Sequence, residues 1–146
     1  MSLTTYETPV LEDWIDYNGH LTEGYYVLVF GFATDAAMDA LGLGPDYRQE
    51  SGCSLYTVEA HVRYLQEVAQ GARLRVRTHV VGVAQKKLHL AHEMFVGDEL
   101  VATEEILGIH VSQADGRATV LPEATAASAA ERRISPPVWV GRAVRI

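Results

Sequence analysis

The residues Asp16-Tyr17-Asn18-Gly19-His20 stand just before a long apolar stretch that opens at Gly24. Asp, Asn and Gly in such density make Asp13 to Gly24 a loop. A helix that starts beyond it has unpaired backbone N–H groups and a partial positive charge at its first turn. That terminus stabilises an anion, or a carbonyl oxygen turning into one. Asp16 and His20 would place an acid and a base beside it. Together they suit hydrolysis of an acyl compound without a metal or a serine. The same residues also suit an Asx turn with a capping His, which only fixes how the chain enters the helix. Spacing alone leaves both readings open.

Other reactive groupings are missing from the sequence. It has no G-x-S-x-G, no Walker A loop and no H-E-x-x-H. Gly42-Leu43-Gly44 lacks a preceding strand and a third glycine, so it makes a poor dinucleotide loop. The six histidines have no metal-site spacing, and no metal is expected; His89 and His92 fall on opposite faces of one strand. Cys53 is the one cysteine, which excludes an intrachain disulfide and a multi-cysteine zinc site. A lone cysteine is ordinarily a small buried hydrophobe.

The elements that must position the loop follow from periodicity. A short strand is expected from Tyr6 to Val10. Thr22 is the expected N-cap, with Glu23 in the first turn. The run from Gly24 to Leu41 makes a helix that is apolar almost all round, and Gly42 stops it. Such a helix needs cover on most sides, and a curled sheet is the simplest cover. Four strands follow: Ser54–Leu65, Arg73–Val83, Lys87–Val96 and Glu99–Ser112. Their side chains alternate, with Tyr56, Val58, Ala60, Val62 and Tyr64 expected on one face of the first. Gly97-Asp98 is a two-residue hairpin turn, so neighbours run antiparallel. Pro122 to Arg133 is a short Ala-rich helix, and residues from about 134 to 146 form an extended tail. The fold class is α+β: one antiparallel sheet wrapped around one long central helix, a single domain over 1–146.

With 146 residues and a net charge of −7, the chain lacks the basic footprint of a nucleic-acid binder or of a protein docked on anionic lipid. Hydrophobic residues at 48% and charged residues at 21% exclude a disordered chain. No apolar run reaches the ~18 residues of a membrane span. The first ten residues do not read as a signal peptide, so the expected location is cytoplasmic.

The segment WIDYNGHLTEGYYVLVF resembles the signature of the 4-hydroxybenzoyl-CoA thioesterase-like family. The order of strand, loop, long helix and antiparallel strands looks like that family's hotdog fold. The resemblance runs from about Tyr6 to Ser112. Four blocks, DWIDYNGHLTE, ATDAAMDALGLG, YTVEAHVRYL and KLHLAHE, also resemble one branch, the betainyl-CoA thioesterases of carnitine breakdown. The resemblance implies an acyl-CoA thioesterase that needs no cofactor and acts as a homodimer or homotetramer. It makes Asp16 the catalytic carboxylate, as nucleophile or as general base. The backbone N–H of Glu23 would polarise the thioester carbonyl, while Asn18 and His20 shape the loop. A hotdog hydratase or dehydratase, and an acyl-CoA-binding module without catalysis, are the alternatives.

Two further groups acquire a meaning from the resemblance. Trp14, Tyr17, Tyr26 and Tyr56, with Glu59 on the next strand facing the acyl group across the dimer interface, would make an aromatic and anionic receptacle for a quaternary ammonium. The competing reading is core packing for the aromatics and a solvated strand face for Glu59. Residues 63–87 carry six basic residues against the single acid Glu67, and Arg63, Lys86 and Lys87 are the expected CoA contacts. Strand lysines and arginines also serve simply to protect exposed sheet.

Overall fold

The computed structural model describes residues 2–146. α1 (Glu23–Ala40) lies in the hollow of a six-stranded antiparallel sheet. β1 (Thr4–Pro9) precedes it, and a 3-10 turn at Glu12–Trp14 leads into the loop. α2 (Pro45–Ser51) follows α1, then β2 (Cys53–Tyr64), β3 (Arg73–Val83), β4 (Lys87–Val96) and β5 (Glu99–Ser112). β6 (Arg117–Ala118) returns to the end of β5, and α3 (Glu123–Glu131) packs against β3. The strand order is β1-β3-β4-β5-β2, so β1 and β2 are the edges. The expected strands and helices are present. α2 and β6 were not foreseen, because seven residues without periodicity and a two-residue strand leave no pattern.

α1 presents Tyr26, Val29, Phe30, Ala33 and Ala37 to the sheet, all buried. Leu74, Val76 and Val80 of β3 meet them, with Leu88, Leu90 and Met94 of β4. These residues recur every second position, as a half-buried strand requires. Gly42, at φ +76°, ends the helix, and the Thr125 hydroxyl of α3 donates to the freed Leu41 carbonyl at 2.7 Å. Cover is complete on the sheet side only. Val27 and Leu28 remain about 40% exposed on the open side of α1.

The register separates an inner face, toward α1, from an outer face. Leu88, Leu90, His92 and Met94 stand opposite Gly108, Ile106, Glu104 and Ala102, all inner. His89 and Glu93 stand opposite Leu107 and Thr103, all outer. The apolar set Leu107, Ile109 and Val111 thus shares one face, the face away from α1. The tail runs along this outer face. Ile134 donates its N–H to Val80, Trp139 packs on Val81 and Ala91, and the Gly141 N–H donates to Glu105 at 2.7 Å.

β2 departs from simple alternation. A bulge at Val58 puts one extra residue between Thr57 and Glu59. Before it Leu55 is inner and Tyr56 outer; after it Glu59, His61 and Arg63 are outer and Ala60, Val62 and Tyr64 inner. The expected single face from Tyr56 to Tyr64 is therefore broken at Val58.

Gly108 lets β2 and β5 close over the core. A methyl group there would sit 2.8 Å from Cγ and Cδ2 of buried Leu55. Gly108→Ala should cost about 1–3 kcal/mol, the scale of overpacking. With Leu55→Ala beneath it the double variant should lose less than the sum of the singles, measured by urea unfolding.

Candidate active site

Two backbone pairings fold the loop before α1 into a tight turn. Ile15 bridges Leu21, and the Asp16 N–H donates to the His20 carbonyl at 2.9 Å. Gly19, at φ +80°, donates back to the Asp16 carbonyl at 3.0 Å. The Leu21 N–H reaches the Val68 carbonyl, and Trp14 is buried behind the loop, stacked on Tyr25. The turn is thus fixed from below and from the side.

Asp16 is half-buried, and Oδ1 accepts the N–H groups of Asn18 at 2.8 Å and His20 at 3.4 Å. This is the Asx turn read from the sequence. It occupies one carboxylate oxygen; Oδ2 has no hydrogen bond to the described residues. The turn thus uses one oxygen of Asp16 and leaves the other free for the chemical reading.

α1 starts beside it. Thr22 is the N-cap residue, as expected, but its side chain makes no capping bond. The first-turn N–H groups of α1 are left without a side-chain acceptor. Asp16, Thr22, Glu23, Tyr26, Tyr64 and Gln66 line an open groove of about 570 Å³ over this terminus. The Tyr26 hydroxyl donates to the Gln66 carbonyl at 3.0 Å, and its ring meets Tyr64 edge-on at 5.1 Å. Burial, then the charge of Glu67, raises the Tyr26 phenol above its ordinary range, so it stays protonated.

Other expected site residues are placed differently. The His20 imidazole does not pair with Asp16; Nε2 lies 3.9 Å from the Glu67 carboxylate. Asn18 contributes its backbone N–H only. Tyr17 is 98% exposed, outside the groove. Tyr56 meets Gln113 at the outer face, and Glu59 is also outer, facing His61, His89 and the tail. The Val58 bulge and the register together keep Glu59 off the α1 side. Arg63 is outer but adjacent to Tyr64, whereas Lys86 and Lys87 lie at the β3–β4 turn, at the opposite end of the sheet. Cys53 begins β2, its Sγ against the Ser51 carbonyl and outside the groove.

A buried polar pair on the inner face leaves no mark in the sequence pattern. His92 is fully buried and stacked on Phe30. The Thr34 hydroxyl donates to the Phe30 carbonyl, so it accepts Nε2–H of His92 at 2.9 Å; Thr78 donates to Nδ1 at 2.8 Å. Burial holds this imidazole down at about 3, and it is neutral. Glu104 lies opposite, buried, with Oε1 3.9 Å from Nε2. Burial raises its carboxyl to about 7. In the sequence Glu104 is one of two adjacent glutamates in a strand, and only the register tells which is inner.

Comparison with known proteins agrees with this geometry. Residues 10–128 match the model of the thioesterase-like superfamily. The chain is 44% identical to a betainyl-CoA thioesterase of Pseudomonas aeruginosa, over 97% of this chain and 94% of that protein. It is 46% identical to an L-carnitine dehydrogenase/betainyl-CoA thioesterase of Agrobacterium fabrum, over 84% of this chain but 25% of that longer protein. A putative thioesterase of Pseudomonas putida superimposes with a TM-score of 0.85 at 35% identity, covering 100% of this chain and 97% of that one. A Staphylococcus aureus protein solved in complex with CoA gives 0.90 at 25% identity, covering 97% and 94%. The chain belongs to the thioesterase-like superfamily and has its hotdog fold.

Proposed function

We propose that this chain hydrolyses betainyl-CoA to betaine and CoA, with Asp16 as the catalytic carboxylate. The observation that carries the reading is the free Oδ2 of Asp16 beside the uncapped start of α1. The 44% identity to a betainyl-CoA thioesterase supplies the substrate. The thioester carbonyl sits with its oxygen toward the Glu23 N–H. Asp16 attacks the carbonyl carbon or takes a proton from the attacking water. Negative charge builds on the carbonyl oxygen, where the helix terminus stabilises it. The C–S bond breaks, CoA leaves as thiolate, and water supplies the hydroxyl of the acid.

The working unit is a homodimer paired along β2. This edge strand leaves one row of N–H and C=O groups unpaired, and Val58 is 54% exposed on it. Val27, Leu28, Tyr64 and Leu65 add apolar surface on the same side. An antiparallel β2–β2 pair sets the Cys53 end of one strand beside the Tyr64 end of the other. Lys86 and Lys87 of one protomer then lie on the side of the other's groove. Arg63, which shares a second groove with Arg142 and Arg145, completes the positive charge for the CoA phosphates.

Asp16→Asn keeps the two turn bonds, because the amide oxygen still accepts them. It should fold and lose at least about 100-fold in turnover, the scale of an essential acid–base or nucleophilic group. CoA release followed with a thiol reagent measures this, and a near wild-type rate would remove Asp16 from the chemistry.

Light scattering should report twice the 16.0 kDa chain mass at micromolar concentration. Val58→Lys with Leu28→Glu should give monomers and lower activity in the same measurement series. Monomeric wild type with full activity would contradict the shared-edge dimer.

A further inference from the structure

Glu104 is a buried carboxylate that the chain leaves without a cation. The strand residues Arg63, Arg73, Arg75, Arg77 and Lys87 are all outer by register, and two of them, Arg75 and Arg77, stack on Phe95 there. Among the described residues no Lys or Arg lies within ion-pair distance of Glu104. His92 cannot fill the role, because burial keeps it neutral. A carboxylate buried in this way is costly unless something positive joins it.

The surroundings show where that positive charge would come from. Val62 of β2 is the register partner of Glu104, and Tyr64 stands two residues further on the same inner face. Tyr64 also lines the Asp16 groove. Its phenol is raised by burial, then by the charges of Glu23 and Glu104, so Glu104 is within electrostatic reach of the groove wall. Tyr26 and Tyr64 offer aromatic surface beside Asp16 in the groove.

We propose that Glu104 is the specificity-determining residue for a cationic acyl group, facing the quaternary ammonium while Asp16 and the Glu23 N–H hold the thioester. The inference rests on the betainyl-CoA reading and deepens it. A trimethylammonium group cannot donate a conventional N–H hydrogen bond, so a carboxylate at short range and aromatic faces are the groups that recognise it. Glu59 cannot do this within its own protomer, because the sheet separates it from α1. Burial raises the Glu104 carboxyl, and a cation beside it would favour the ionised form.

The test compares wild type and Glu104→Gln on betainyl-CoA and on 3,3-dimethylbutyryl-CoA, in which carbon replaces the charged nitrogen. The readout is the ratio of kcat/KM for the two substrates, which does not depend on the active fraction. Wild type should favour betainyl-CoA at least about ten-fold. Glu104→Gln should bring the ratio to within about three-fold of unity, in a protein that folds and melts no lower than wild type at pH 8. A ratio that survives the substitution overturns the role of Glu104 and leaves the betainyl-CoA reading intact. A Glu104→Gln chain that cannot fold also overturns it, because Glu104 is then a structural partner. Wild type that does not hydrolyse betainyl-CoA overturns the substrate reading, and Glu104 with it.

Discussion

Burial of α1 against one sheet is the interaction on which the rest depends. Val29, Phe30, Ala33 and Ala37 are fully buried, and each large apolar side chain contributes about 1.5–3 kcal/mol. A missing N-cap costs only about 1 kcal/mol. The helix can therefore leave its first turn uncapped without losing its place. A helix held instead by its caps could not give one up. The same packing explains why α1 is covered on one side only. One small sheet cannot enclose an apolar helix, so the side carrying Val27 and Leu28 stays exposed.

The loop before α1 solves a related problem. Its carboxylate has to be rigid and yet keep an oxygen free. Asp16 achieves this by using Oδ1 for the turn and leaving Oδ2 uncommitted. Gly19 closes the turn, and Trp14 supports it from the core. His20 contributes its backbone to the same turn, while its ring leans toward Glu67. The turn motif and the reactive group are thus the same five residues.

Much of this was legible in the sequence, and what was not legible has physical causes. The helix, the long strands and the loop follow from apolar period and turn residues, which are local properties. The position of Asp16 before a helix start is local too. Tyr56 was expected on one face with Ala60, Val62 and Tyr64, but one extra residue at Val58 turns it to the other face of β2, and a bulge leaves no mark in composition. Glu104 was missed for the converse reason. Leu107, Ile109 and Val111 look like the core face of β5, but the tail side of the sheet is apolar as well. Two faces of similar hydrophobicity leave alternation without a sign, and only pairing with β4 supplies it. The strand order, with β2 last beside β5, also depends on contacts distant in sequence.

Charge is sorted across this sheet, and the sorting has a consequence for ligand binding. Two outer carboxylates have partners: Glu93 meets His79 at 2.9 Å, and Glu105 meets His89 and the Gly141 N–H at 2.7 Å each. The tail is fastened by the second of these pairs, so the outer face uses its charge for structure. The inner face keeps one carboxylate and no strand cation. An apolar residue at position 104 would remove that desolvation cost, since paired or unpaired buried charges rarely stabilise more than good packing does. A stability argument therefore gives no reason for a glutamate there. The proposed cationic acyl group would account for it, because the field of a buried carboxylate is screened least where water is excluded. The desolvation that weakens the free fold is the same desolvation that would strengthen attraction to a charged acyl group.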